Sequence, residues 1–220
     1  KRQTPLITKA TLDKMIEARR NGATVVVLGF TPEDPAKYGR LIVDETGLRE
    51  IVEFKDATPE QRAVRLCNSG VMCVDGKKLF DLLDKVKNDN AAGEYYLTDL
   101  VALARAQGDA AAVVEGGEEE LTGANSRADL AVLEKIAQKR LRAKFLEQGV
   151  TMIDPDTVYF SFDTVLGKDV FIEPNVIFET GCVVEDGVEI KGFCHFEGTR
   201  IRANAKVGPF SRCLLYTSPS

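Results

Sequence analysis

Imidazole is nearly absent from this chain: it holds one histidine, His195, and no tryptophan. Acid–base schemes built on histidine are closed everywhere but that position, which leaves carboxylates, amides, backbone or a metal to do chemical work. The cysteines, Cys67, Cys73, Cys182, Cys194 and Cys213, are odd in number and form no C-x-x-C pair. That pattern indicates neither a disulfide framework nor a zinc site and points to reduced, structural thiols. No apolar run approaches the roughly 20 residues of a bilayer span, so no membrane partner is expected. Arg and Lys form no run, the net charge is −5 and the two signs are interspersed, so no nucleic-acid partner is expected either. Lys1 and Arg2 lead into a polar stretch rather than the apolar core of a signal peptide, and a cytoplasmic setting is the expectation.

What is present is globular in proportion. At 44% hydrophobic and 29% charged, 220 residues suffice for one large domain or two small ones. Leu12, Met15 and Ile16 recur at helical spacing after Thr8 or Thr11 as cap, predicting a helix from about Thr8 to Gly22. The run ATVVVLGF, Ala23 to Phe30, reads as a buried strand. Strands are predicted at Arg40–Asp44 and Arg49–Phe54 around the hairpin signal Glu45-Thr46-Gly47. Thr58-Pro59 opens a short helix. A strand over Leu66–Val74, helices over Gly76–Val86 and Leu97–Gln107, and a strand over Ala111–Val114 follow. Strands alternating with helices predict an α/β sheet. A helix from Arg127 to Gln148 ends at Gly149, a favourable C-cap residue.

Beyond Gly149 the pattern changes. Leu166, Ile172, Phe178, Val184, Ile190 and Phe196 are apolar at a strict spacing of six, each of the first five followed four residues later by a small or β-branched residue. This is the hexapeptide repeat of a parallel β-helix, each side placing one large and one small residue inside. At Arg200 the phase slips by one, read as a bulge or corner loop, and resumes at Ile201 and Val207. Such repeats are stable only as several stacked coils. The ending CLLYTSPS follows neither the repeat nor a capping pattern and is read as foreign to the fold, its coil stack left with an open edge that favours irregular association.

Five stretches in order carry a resemblance: Tyr38-Gly39-Arg40, then Ile51 to Ala57 (IVEFKDA), Asn68-Ser69-Gly70, Gly93 to Asp99 (GEYYLTD) and Gly123 to Arg127 (GANSR). Together with the repeats behind them, they are similar to the bacterial bifunctional N-acetylglucosamine-1-phosphate uridyltransferase / glucosamine-1-phosphate N-acetyltransferase family. The likeness runs from about residue 4 to 212, and its series is far more specific than any one motif. It implies the C-terminal half of a Rossmann-like nucleotidyltransferase domain (1–126), a linking helix (127–149), the first coils of a left-handed parallel β-helix (150–212) and a non-native tail (213–220). It implies that Gly39 lies against a nucleotide sugar, that Glu53 and Asn68 hydrogen-bond the N-acetylglucosamine moiety, and that Tyr96 and Thr98 line the same pocket. Asn125 would help to hold Mg2+. UTP and UDP-N-acetylglucosamine are the implied ligands, acetyl-CoA the implied co-substrate of a second site in later coils, and a homotrimer the implied assembly.

Two departures bear on activity. The family's Gly-rich phosphate loop has no counterpart in this stretch, and Gln3 stands where a metal-binding aspartate is due; a neutral amide oxygen is a poor ligand for a hard cation. The 220 residues alone are therefore expected to be inactive. Two other functions fit the residues: another sugar-1-phosphate nucleotidyltransferase with a β-helix tail, or a non-catalytic module that binds a sugar nucleotide. Plainer readings stand beside each site. A strand-end glutamate such as Glu53 is usually solvated, whereas Asn68 is a misfit in an apolar strand, the kind that marks a site. Asn125 reads equally as a cap or turn residue, Tyr95-Tyr96 as packing, His195 as a surface residue, and Glu118–Glu120 as a solvated turn.

Overall fold

A computed structural model describes residues 4–35, 37–90, 92–124 and 126–214. The chain divides into two compact units, Lys1–Asp129 and Leu130–Ser220.

The first unit is built on a five-stranded mixed sheet. Its strands are β1 (Ala23–Phe30), β2 (Arg40–Asp44), β3 (Gly47–Val52), β4 (Cys67–Val74) and β5 (Ala110–Glu115), in the order β3-β2-β4-β1-β5. β5 runs parallel to β1, whereas β4 is antiparallel to both β1 and β2. All eight residues of β1 are buried. Side chains alternate across a strand, so Val25 and Val27 enter one core with Leu41, Leu48 and Leu100, and Val26, Leu28 and Phe30 enter another with Met15 and Leu121. Helices cover both faces, and that is why the strand reads as an unbroken apolar run rather than an alternating one. The α/β expectation holds.

Helix α1 (Lys9–Arg20) is capped by Thr8, and α2 (Pro59–Ala63) starts on a capping box between Thr58 and Gln61. The hairpin turns on Glu45-Thr46, with Asp44 opposite Gly47. Gly47 has φ +112°, and a Cβ there would lie 2.6 Å from the Ala111 carbonyl oxygen, so both the backbone twist and the close approach require glycine. Helix α3 covers only Leu79–Leu83, shorter than the predicted Gly76–Val86; Asp75 folds the preceding residues into a turn by accepting the Lys77 and Leu79 amides. Leu82 is buried, whereas Leu83, whose spacing in the run LFDLL predicts an inward position, is exposed. Helix α4 spans Asp99–Ala106.

The acidic run corrects a prediction. Glu118–Leu121 forms a short helix, α5, and Glu120 is buried, not solvated. Its carboxylate accepts the Thr8 amide at 2.5 Å and the Thr11 hydroxyl at 2.9 Å. A negative charge at a helix start satisfies free N–H groups and meets the positive end of the dipole.

Helix α6 (Arg127–Glu147) belongs to the second unit from Leu130 onward and leads to Gly149 at φ +95°, then to a parallel β-helix. Among the described residues its short strands are β6 (Thr151–Met152), β7 (Val158–Phe160), β8 (Val165–Leu166), β9 (Phe171–Ile172), β10 (Val176–Phe178), β11 (Val183–Val184), β12 (Glu189–Ile190), β13 (His195–Phe196), β14 (Arg200–Ile201), β15 (Lys206–Val207) and β16 (Arg212–Cys213). They stack into three sheets in the orders β16-β13-β10-β7, β14-β11-β8 and β15-β12-β9-β6. Leu166, Ile172, Phe178, Val184, Ile190 and Phe196 are all buried inside, with Val170, Val176, Cys182, Val188 and Cys194 between them. Phe160, Phe178 and Phe196 stack in a column at 5.2 and 5.5 Å. Coils repeat every 18 residues at first, Val165 lying opposite Val183, and then every 17, Val183 lying opposite Arg200. The phase slip is thus one residue lost at the corner through Gly198, whose φ is +55°. Corners elsewhere use Asp169, Asn175, Gly181, Gly187 and Asn204 at positive φ, residue types that tolerate it, but also Phe193 and Phe210 at φ +60° and +59°, a conformation that a bulky side chain rarely adopts.

Candidate functional site

The first unit gathers residues from four separate stretches. Gly39, buried at the end of the loop before β2, accepts the Asn68 amide on its carbonyl at 2.9 Å, extending the pairing of β2 with β4. Glu53 follows β3 directly. A Cβ placed on Gly39 would lie 3.5 Å from both Glu53 carboxylate oxygens and from Ile51 Cγ2, so the bare backbone at 39 and the carboxylate sit side by side.

Asn68 lies opposite Gly29, where the β1–β4 register shifts. Its side-chain oxygen accepts the Gly70 amide at 2.9 Å, and the Ser69 hydroxyl donates to the Leu28 carbonyl at 2.7 Å. The polar trio in an apolar strand is thus a bulge whose broken ladder is satisfied by side chains.

Glu53 is half-buried, and its carboxyl is held above the usual range by that burial first and by the charge of Asp56 next; the Thr98 hydroxyl opposes the shift and Asp99 adds to it. Asp99 is raised by burial and by Asp56. The Tyr96 phenol is pushed up by burial, then by Asp56 and Glu53. Glu53 and Tyr96 share a cavity of about 260 Å3 with Lys37, Phe54, Lys55 and Glu94. Phe54 is held as a wall by the Arg62 guanidinium, 4.6 Å from its ring centre, and by that of Arg40 at 5.8 Å. Arg40 is buried and donates to the Arg62, Pro35 and Tyr38 carbonyls.

Gly39, Tyr96 and Thr98 therefore gather around the Glu53 carboxylate, and Asn68 joins them through its main-chain bond to Gly39. Asn125 and Gln3 lie outside the described residues, and among the described residues no group of three His, Cys, Asp or Glu side chains is arranged to hold a metal ion. Lys37, Lys55, Glu94 and Arg40 were not singled out from the sequence. Arg40, Lys55 and Glu94 each lie inside one of the motif stretches and were within reach, but what each one touches is decided by packing.

The second unit has a larger hollow, about 670 Å3, against Lys144, Phe145, Thr164, Leu166 and Asp186, but none of the predicted site residues lines it. His195 lies on the outer face of the coils, half-buried, its Nε2 3.5 Å from Glu179 Oε1 without hydrogen-bond geometry. Cys182 and Cys194 are buried packing residues with free thiols.

No family model matches the chain. Curated proteins do. The bifunctional protein GlmU of Rhodospirillum rubrum is 61% identical over 204 residues, 92% of this chain and 46% of its own length. That of Paramagnetospirillum magneticum is 56% identical over 211 residues, 95% of this chain and 47% of its own. Over the stretch it spans, the chain is similar to the GlmU proteins. GlmU of Sinorhizobium medicae, at 51% over 209 residues, repeats the pattern, and the chain spans about half the length of these relatives. A solved Bacillus anthracis structure, described as a glucose-1-phosphate thymidylyltransferase with sucrose, aligns with 56% of this chain and 48% of its own at 19% identity and a TM-score of 0.39. A likeness that slight favours neither sugar nor nucleotide.

Proposed function

We propose that the first unit carries the sugar side of a pocket that makes UDP-N-acetylglucosamine from UTP and N-acetylglucosamine-1-phosphate. The observation that supports this most is the meeting of Gly39, Glu53 and Asn68, three stretches apart in sequence, beside Tyr96 and Thr98. A carboxylate accepts hydrogen bonds from sugar hydroxyls, and an asparagine amide both donates and accepts, as an N-acetyl group requires. Gly39 allows the sugar ring to approach the backbone closely. Tyr96 and Thr98 close the side of the pocket.

In the reaction, the phosphate oxygen of the sugar phosphate attacks the α-phosphorus of UTP in line, and pyrophosphate leaves. The residues of this chain bind and orient the attacking sugar phosphate, the positioning that dominates phosphoryl-type transfers. Asn125 is among the residues that would hold Mg2+, which would supply positive charge against the phosphates.

For the whole protein we propose a homotrimer in the cytoplasm serving cell-wall precursor synthesis, with a second reaction, acetyl transfer from acetyl-CoA to glucosamine-1-phosphate, on the β-helix side.

Calorimetric titration of the 220-residue chain with UDP-N-acetylglucosamine and with UDP-glucose tests the sugar assignment. Binding is expected to favour the N-acetyl sugar and to weaken about ten-fold or more in Asn68→Ala, the scale of a polar contact left unpaired. Equal affinity for the two ligands would sink the assignment.

A further inference from the structure

We infer that Lys37 and Lys55 form the phosphate-recognising edge of the sugar pocket and select sugar phosphates over free sugars. The inference rests on the pocket assigned above and adds residues that the assignment does not use. Lys37 lies in the loop before Gly39, and Lys55 lies two residues past Glu53; both line the 260 Å3 cavity that holds Glu53, Glu94 and Tyr96. Four charged side chains, two of each sign, share this small space. Among the described residues, no ion pair joins either lysine to Glu53 or to Glu94, although opposite charges that meet within 4 Å normally pair.

The field around Glu53 is negative. Asp56 and Asp99 act on Glu53 by charge, and Glu94 acts on Tyr96. A phosphate brought near this group of carboxylates is repelled unless cations stand beside it, and Lys37 and Lys55 are the cations that line the cavity. A ligand carrying hydroxyls for Glu53 and a phosphate for the two ammonium groups satisfies both sets at once. A neutral sugar satisfies one, and inorganic phosphate only the other.

The test is titration of the chain and of its Lys37→Met/Lys55→Met variant with N-acetylglucosamine-1-phosphate, glucose-1-phosphate and free N-acetylglucosamine, at low and raised salt. Methionine keeps the apolar stem and removes the charge. Affinity for the N-acetyl sugar phosphate is expected to fall about ten-fold, the worth of one charge-assisted hydrogen bond. Free N-acetylglucosamine should be unaffected, and the salt dependence of sugar-phosphate binding should flatten in the variant.

Wild-type preference for the N-acetyl sugar with no loss in the variant overturns the lysine inference and leaves the pocket assignment standing. A lysine-dependent affinity for glucose-1-phosphate, without preference for the N-acetyl sugar, overturns that assignment and sustains the inference. Equal loss for free sugar and sugar phosphate, or no sugar-phosphate binding at all, overturns the inference.

Discussion

Glu53 is pulled in two directions. Burial and the charges of Asp56 and Asp99 disfavour its ionised form, yet the ionised carboxylate is the stronger acceptor for sugar hydroxyls. A carboxyl whose folded pKa lies above its unfolded value binds its proton more tightly in the native state. Ionising it as pH rises therefore costs native stability, and that cost disappears below the unfolded carboxylate pKa of about 4.3, where both states are protonated. Glu53→Gln is accordingly expected to raise Tm at pH 7.5, to lose that gain by about pH 4, and to weaken UDP-N-acetylglucosamine binding. Scanning calorimetry across pH with a parallel binding titration checks both halves; an unchanged Tm at pH 7.5 counts against the burial argument. Asn68 was legible as a polar misfit in an apolar strand. The bulge that Ser69 and Asn68 stabilise was not, because it depends on Leu28 of a strand some forty residues earlier.

At the level of elements, α6 does more than link. Strand β7 (Val158–Phe160) is an edge of its sheet, and the helix satisfies that edge with side chains. Gln138, itself buried, donates to the Phe160 carbonyl at 2.7 Å and accepts the Phe160 amide at 2.9 Å, while Arg142 donates to the Val158 carbonyl at 2.9 Å. The amide side chain stands in for a neighbouring strand, which is one way of blunting an edge. Gln138→Leu leaves two backbone groups without partners and is expected to destabilise the second unit by about 2–4 kcal/mol. Urea unfolding monitored in the coils reads this directly; a loss under about 0.5 kcal/mol would mean that water replaces the side chain. The six-residue period announced the coils because every side of a β-helix repeats the same inward demand. The role of Gln138 was hidden, since nothing local marks one polar residue on a helix as the partner of a strand 22 positions later.

At the scale of the molecule, acid acts on the coils through the carboxylates at their corners. In the coils, Asp163 accepts the Gly181 amide at 2.9 Å, Glu173 the Gly192 amide at 3.0 Å and Glu185 the Ala203 amide at 3.0 Å, each tying a corner to the next coil. All three lie below the usual carboxylate range: Asp163 through the Ser161 hydroxyl and then Gly181, Glu173 through Lys191 and then Gly192, Glu185 through Ala203 and then Arg200. A carboxyl with a depressed folded pKa contributes stability above its unfolded pKa and loses it as pH falls through the folded value. The coils are therefore expected to unfold at lower urea at pH 3 than at pH 6, and Asp163→Asn/Glu173→Gln/Glu185→Gln should flatten that dependence. An unchanged pH dependence in the triple variant would show that other groups govern acid stability.

Hydrophobic periodicity was enough to specify an α/β sheet buried on both faces and a coil of six-residue sides, because each reflects a repeated local demand for apolar contact. The ordered motifs were enough to place Gly39, Glu53, Asn68, Tyr96 and Thr98 in one series. Three-dimensional contact alone turned Glu120 from a supposed solvated residue into the carboxylate seated at the start of α1, more than a hundred positions away. It alone brought Lys37 and Lys55 to one cavity and set Arg40 behind Phe54. Charge placement of that kind has no period: it is set by which distant segments pack together, and the burial that shifts a carboxyl does not exist until they do.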